Sequence, residues 1–138
     1  MEAIAHAPTL SSGRIWAGRI MSWLPALFLI ADAIMKLIKP AFVVEATVQL
    51  GYQANAIVPL GAVLLVITIL YLIPRTAVLG AILLTGYLGG ATATHVRVED
   101  GVFNVVFSIV FGVLIWGGLF LRDRRVSALI PLNNPVVN

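Results

Sequence analysis

Cysteine is absent from this chain, and histidine is nearly so. The lack of thiols excludes disulfide exchange, thiolate catalysis, iron–sulfur ligation and cysteine-based zinc sites. His6, one of only two histidines, lies outside the first apolar segment, so a haem or metal held by two histidines of one chain is not expected. We therefore expect no metal site and no intrinsic cofactor, and a redox role would need a cofactor from a partner.

Charge is also scarce. Charged residues make up 11% of the 138 residues and hydrophobic residues 60%, and the mean hydropathy is +1.02. Soluble domains typically carry about 25% charged residues, so the composition indicates an integral protein of the lipid bilayer. The net charge of +3 comes from basic residues that flank apolar segments without forming a patch, and nucleic acid is therefore not an expected partner.

Four apolar segments are each long enough to cross a hydrocarbon core of about 30 Å. They predict an all-α fold, a membrane-embedded four-helix bundle that forms a single domain over residues 1–138. The last two helices should form an antiparallel hairpin, because only a short polar stretch joins them. The predicted helices cover about residues 15–38, 55–73, 77–96 and 102–121, and a short tail follows at residues 122–138.

The segment between the first two helices, residues 41–52, mixes apolar residues with Glu45 and Gln49. It is too polar to span a membrane. We expect it to form a short amphipathic helix that lies at the membrane interface.

The basic residues predict the orientation of the bundle. Six arginines fall on one side of the predicted helices, and only two lysines and one arginine fall on the other. Because cytoplasmic loops carry the excess of Lys and Arg, both termini should be cytoplasmic in a multi-pass protein of the cell (inner) membrane. The six are Arg14, Arg19, Arg75, Arg122, Arg124 and Arg125.

Asp32 and Lys36 lie one helical turn apart in the first apolar segment. A charge near the centre of a membrane helix costs about 2.5–3.5 kcal/mol on insertion scales, so such groups usually face a bundle interior or a wet cavity. Two interpretations are open. The residues could form an i,i+4 ion pair with a purely structural role, or Asp32 could meet a ligand or relay a proton while Lys36 orients it.

Other polar residues of the spans fall at the same depth, in the half of the bundle predicted to face outward. This asymmetry predicts a polar, outward-facing pocket between the helices, closed below by aliphatic packing. A channel would need polar lining in both the outer and the inner half of the bundle. The candidate ligand-binding residues are Asp32, Lys36, His95, Asn104 and Asn55.

His95 also has a structural interpretation, as an interfacial histidine hydrogen-bonded to a neighbour such as Glu99 at i+4. In the same helix, Gly86, Gly90 and Thr94 follow one another at four-residue spacing. Small residues on one face allow membrane helices to approach closely. We expect this face to pack against another helix, within the chain rather than in a homo-oligomer.

Residues 86–97, with the sequence GYLGGATATHVR, carry a resemblance to a known family. Together with the four-helix pattern and the acid–base pair late in the first helix, this string resembles the DoxX-like membrane proteins, over about residues 13–125. The resemblance implies an association with quinone-linked oxidoreduction or with redox-stress complexes. It does not imply that the chain is an enzyme, because the sequence contains no cofactor motif and no cysteine.

Three functions follow from these expectations. The first is binding of a quinone, an isoprenoid or another lipid-like small molecule in the outward-facing pocket. The second is a role as accessory subunit or assembly chaperone of a larger membrane oxidoreductase complex. The third is a quinone-linked oxidoreductase subunit in which Asp32 or His95 exchanges protons while a partner supplies the electrons.

Overall fold

Six α-helices and one 3-10 turn form the secondary structure of residues 9–130, the part of the chain that the computed structural model describes. Four of these helices are long and apolar enough to cross a membrane. The predicted all-α, four-helix membrane bundle is therefore confirmed. The elements are α1 (Ser12–Ile38), α2 (Ala41–Gln49), the 3-10 turn (Ala54–Ala56), α3 (Ile57–Leu72), α4 (Ala77–Arg97), α5 (Val102–Arg122) and α6 (Arg124–Leu129).

Local signals set both ends of α1. The Ser11 hydroxyl accepts a hydrogen bond from the Arg14 amide at 3.4 Å and so satisfies one of the free N–H groups of the first turn. At the other end, Lys39 adopts the left-handed conformation and its amide donates to the Met35 carbonyl. The chain then turns directly into α2.

The four long helices pack as a ring. Helix α1 contacts α3 and α5, and α4 contacts the same two helices, so α1 and α4 lie diagonally across the bundle. The predicted hairpin of the last two spans is present as α4 and α5. Its turn contains Glu99 at φ 54° and Gly101 at φ 83°, two left-handed residues that reverse the chain in a short loop.

Glycines allow α1 to approach its two neighbours closely. A Cβ atom added at Gly18 would lie 2.9 Å from the carbonyl oxygen of Gly118 on α5. One added at Gly61 on α3 would lie 2.7 Å from the Cβ of Lys36. Because helix association in lipid depends on close van der Waals contact, these positions fix the α1–α5 and α1–α3 interfaces.

A buried polar cluster joins three helices near the end of α3. The side chain of Tyr71 is fully buried, and its hydroxyl lies 2.9 Å from the Ser22 hydroxyl and 2.9 Å from the Ile115 carbonyl oxygen. No water is present in a bilayer core to satisfy such groups. The cluster therefore ties α3 to α1 and α5.

The segment after α5 is partly helical. The Asp123 side chain accepts a hydrogen bond from the Arg125 amide at 2.8 Å and caps α6. Val126 then packs into the hydrophobic core. The rest of the predicted tail, residues 131–138, and His6 lie outside the described residues.

Candidate functional site

A cavity of about 550 Å³ lies inside one end of the bundle, next to α2. We call it the α2 cavity. It occupies the space between the diagonal helices α1 and α4, with α2 and α5 completing its walls. The lining residues are Phe28, Leu29, Asp32, Lys36, Phe42, Val43, Ala46, Thr47, Leu50, Tyr52, Leu60, Gly86, Tyr87, Leu88, Gly90, Ala91, Thr94, His95, Phe107, Ser108 and Phe111.

Asp32 and Lys36 form an ion pair at the wall of this cavity. The Lys36 Nζ lies 2.5 Å from both carboxylate oxygens, so the ammonium is shared between them. The Lys36 side chain is 17% exposed and that of Asp32 35%. The i,i+4 spacing in α1 brings the two groups together, and their partial exposure leaves the pair accessible from the cavity.

Aromatic rings form much of the apolar wall of the cavity. The ring of Phe28 meets Phe107 edge-on at a centroid distance of 5.3 Å and Phe111 at 5.1 Å. Phe107 and Phe111 are themselves 4.5 Å apart. Such edge-to-face contacts hold aromatic rings in defined positions, so the cavity has a fixed apolar surface beside the Asp32–Lys36 ion pair.

A short chain of hydrogen bonds lines the α4 side. The Tyr52 and Thr94 hydroxyls lie 3.0 Å apart, and the Thr94 hydroxyl donates to the Gly90 carbonyl at 2.9 Å. Because a hydroxyl has one proton, Tyr52 must donate to Thr94. The lone pairs of the Tyr52 oxygen therefore stay available as acceptors at the cavity.

His95 pairs with a different acid from the one predicted. Its Nδ1 lies 2.9 Å from the Asp100 carboxylate, whereas the sequence favoured Glu99. The left-handed conformation of Glu99 reverses the chain after α4. The reversal brings Asp100 back over the helix end, where its amide also donates to the His95 carbonyl at 3.1 Å.

The two predicted asparagines do not line the cavity. Asn104 donates to the carbonyl of Asp100 at 3.0 Å and to its carboxylate at 2.7 Å, and so braces the start of α5. Asn55 is exposed in the 3-10 turn. Of the five candidate ligand-binding residues, the cavity brings together Asp32, Lys36 and His95.

The predicted small-residue face of α4 also borders the cavity. A Cβ atom added at Gly86 or Gly90 would meet no atom within 4 Å, so neither glycine makes a close helix contact within the described chain. The reason is the ring arrangement, which places α1 across the cavity from α4. Thr94 is buried and engaged in the hydrogen bonds described above.

Comparison with known proteins identifies the family. The profile of the DoxX-like family matches residues 20–118, most of the chain. This chain belongs to the DoxX-like family. A search of curated proteins and a search of solved structures each return no match. The family and the four apolar helices establish a multi-pass membrane protein.

One contact beside the α2 cavity of this DoxX-like protein could not be predicted from the sequence. Arg97, at the end of α4, donates a 2.8 Å hydrogen bond to the Leu50 carbonyl at the end of α2. Gly51 leaves room for it, because a Cβ there would lie 2.9 Å from Arg97 Nη2. A backbone carbonyl acceptor can belong to any residue type, so the pairing could not be read from residue identities.

Helix α2, predicted from the sequence as a short interfacial helix, contributes to the cavity. Phe42, Val43, Ala46 and Thr47 all line the cavity, so the helix forms part of its wall. The Arg97 hydrogen bond fastens its carboxyl end to α4. In this DoxX-like protein, α2 and the Asp32–Lys36 ion pair thus line the same cavity.

Proposed function

We propose that this DoxX-like protein binds a quinone, an isoprenoid or another lipid-like small molecule in the α2 cavity. The observation that carries the proposal is the Asp32–Lys36 ion pair at the wall of a cavity whose other surfaces are mostly aromatic and aliphatic. Ligand sites are typically apolar cavities of about 300–1,000 Å³ with a few placed polar groups. The α2 cavity, at about 550 Å³, meets that description.

The lining suggests how such a ligand would be held. An ammonium has three N–H donors, and the Asp32 carboxylate takes two of those of Lys36. The third would donate to a ligand carbonyl or hydroxyl oxygen. His95 and the acceptor oxygen of Tyr52 would offer further polar contacts, and an apolar ring or chain would pack against the phenylalanine wall.

We further propose that the α2 cavity lies at the periplasmic or outer end and that both termini are cytoplasmic, in the cell membrane. The excess of arginine at the other end supports this orientation. Since the chain lacks cysteine, single cysteine substitutions can report the orientation of the protein in the membrane. Glu99→Cys should react with a membrane-impermeant maleimide in intact cells, and Ser127→Cys only after lysis. The reverse pattern would overturn the orientation.

The ligand proposal is tested by mass spectrometry of the full chain after gentle purification. A quinone, isoprenoid or other lipid-like molecule should copurify in near-stoichiometric amount and should be depleted in Asp32→Asn. Lys39→Gln is the matched control, since Lys39 is an exposed residue at the end of α1 and does not line the cavity. Recovery of a partner chain with no small molecule would contradict ligand binding and favour the accessory-subunit role.

A further inference from the structure

We propose a second binding site, for the phosphate group of an anionic ligand, at the end of the bundle opposite the α2 cavity. A cavity of about 600 Å³ lies there between the start of α1, the α3–α4 turn and the end of α5. Four arginines contribute to its lining, and we call it the arginine cavity. They are Arg19, Arg122, Arg124 and Arg125.

Carboxylates do not balance this charge within residues 9–130. The ion pairs in that range are Lys36–Asp32 and His95–Asp100, both at the α2 end. Asp123 lines the arginine cavity, and its carboxylate accepts the backbone amide that starts α6 and keeps its negative charge. It forms no ion pair within residues 9–130, and one carboxylate offsets the charge of only one of the four arginines.

Arg122 has a donor in need of an acceptor. Its Nε is buried and has no hydrogen-bond partner among the described residues. Its Nη2 reaches the Tyr71 carbonyl only at 3.5 Å, and the guanidinium lies 5.4 Å from the centre of the Tyr71 ring. The side chain is thus held in place with donor capacity unused. Phosphate oxygens suit it, because the planar guanidinium binds phosphate through two parallel hydrogen bonds.

The walls of the arginine cavity favour a lipid as the source of the phosphate. Ile15, Trp23 and Leu72 supply apolar surface beside the arginines. Trp23 is also 49% exposed, as expected for a tryptophan at headgroup depth. Basic pockets between membrane helices commonly bind anionic headgroups. Free phosphate could form the same hydrogen bonds to the arginines as a lipid headgroup, but it has no acyl chains to contact the apolar surface.

Native mass spectrometry of the full chain in neutral detergent tests the site, with dioleoyl phosphatidylglycerol as probe and dioleoyl phosphatidylcholine as the uncharged comparison. Arg19→Gln and Arg124→Gln, two exposed positions with little risk to folding, should each weaken phosphatidylglycerol binding about fivefold, the factor that corresponds to about 1 kcal/mol per arginine. Phosphatidylcholine should bind more weakly to the wild-type chain.

Arg75→Gln is the matched control, because Arg75 is exposed at the same end but does not line the cavity. It should change binding by less than about twofold, since an exposed charge outside the lining is screened by salt. An equal loss of phosphatidylglycerol binding in Arg75→Gln and Arg19→Gln would overturn the site, because it would show only a non-specific electrostatic attraction. Equal binding of the two lipids would overturn it as well.

An inorganic phosphate titration distinguishes the two sources. If inorganic phosphate displaces phosphatidylglycerol from the wild-type chain, the site recognises phosphate independently of acyl chains. If it does not, and the Arg19 and Arg124 variants still lose the lipid, the site requires the headgroup in its lipid form. Both results support binding in the arginine cavity. If the Arg19 and Arg124 variants bind the lipid and phosphate as well as the wild-type chain does, the proposal is contradicted.

Discussion

The Lys36 ammonium lies 2.5 Å from each carboxylate oxygen of Asp32, and both residues line the α2 cavity. The pairing explains how two charges are tolerated in a membrane helix, because each offsets the cost of burying the other. The position at the cavity wall gives the pair access to a bound molecule. The stability of Asp32 and Lys36 variants therefore reports on the ion pair, and the amount of ligand that they retain reports on the role of the pair in binding.

Asp32→Asn should lower the free energy of unfolding by about 1–3 kcal/mol, because it leaves the Lys36 ammonium without its counter-ion. This is less than for a fully buried pair, since the Asp32 side chain is 35% exposed. The double variant Asp32→Asn/Lys36→Gln should recover part of the loss, because neither charge remains. Denaturant unfolding of the purified chain in detergent, followed by circular dichroism, measures both changes.

Lys39→Gln serves as the control for loss of a lysine, and it should stay within about 0.5 kcal/mol of the wild type. A double variant no more stable than Asp32→Asn would contradict the assignment of the destabilisation to an uncompensated charge. It would point instead to the loss of packing around the side chains.

The sequence was sufficient to predict the four spans and their connections. Their lengths follow from the thickness of the bilayer, and Pro40, Pro74 and the polar turn at residues 98–101 mark their ends. The i,i+4 pairing of Asp32 with Lys36 is likewise local and could be predicted as one of two interpretations. The fold and the charged part of the candidate site could thus be predicted from the sequence alone.

The rotation of each helix about its axis could not be predicted from the sequence. Lipid tails are as apolar as a protein core, so residues that face lipid and residues that face the core are equally hydrophobic. The sequence could not distinguish Gly61, which contacts α1 closely, from Gly86 and Gly90, which border a cavity. Contacts to backbone carbonyls, such as that from Arg97 to Leu50, could not be predicted either, because any residue type can supply the acceptor.

Substitution of a glycine should be tolerated or harmful according to the space beside it. Gly18→Ala should destabilise the bundle by about 1–3 kcal/mol, because the new Cβ would press on the Gly118 carbonyl and on Arg122. Gly112→Ala should be neutral or stabilising by up to about 1 kcal/mol, since no atom lies within 4 Å and alanine favours helix. Thermal unfolding in detergent compares the two variants. Equal melting temperatures would contradict the α1–α5 contact.

Loss of the Arg97 hydrogen bond should loosen α2. In Arg97→Gln the carboxyl end of α2 loses its attachment to α4, and amide exchange in residues 41–50 should accelerate about tenfold, which corresponds to about 1.4 kcal/mol for a charge-assisted hydrogen bond. Hydrogen–deuterium exchange with mass spectrometry resolves this segment. Arg75→Gln, a change of the same type in the opposite turn, should leave it unaffected. Unaltered exchange in Arg97→Gln would show that other contacts hold α2.

Filling the α2 cavity tests ligand binding most directly. Gly90→Leu and Gly89→Leu make the same change at adjacent positions of α4, and each has no atom within 4 Å of the added Cβ. Gly90 lines the cavity and Gly89 does not. Both variants should keep the fold, and glycine replacement should raise helix stability equally in both.

The decisive measurement is the amount of small molecule that copurifies per chain in these two variants, determined by mass spectrometry after gentle purification. A ligand held in the α2 cavity predicts about a tenfold loss in Gly90→Leu, corresponding to about 1.4 kcal/mol, and wild-type amounts in Gly89→Leu. Equal amounts in the two variants and the wild type would contradict binding in the α2 cavity.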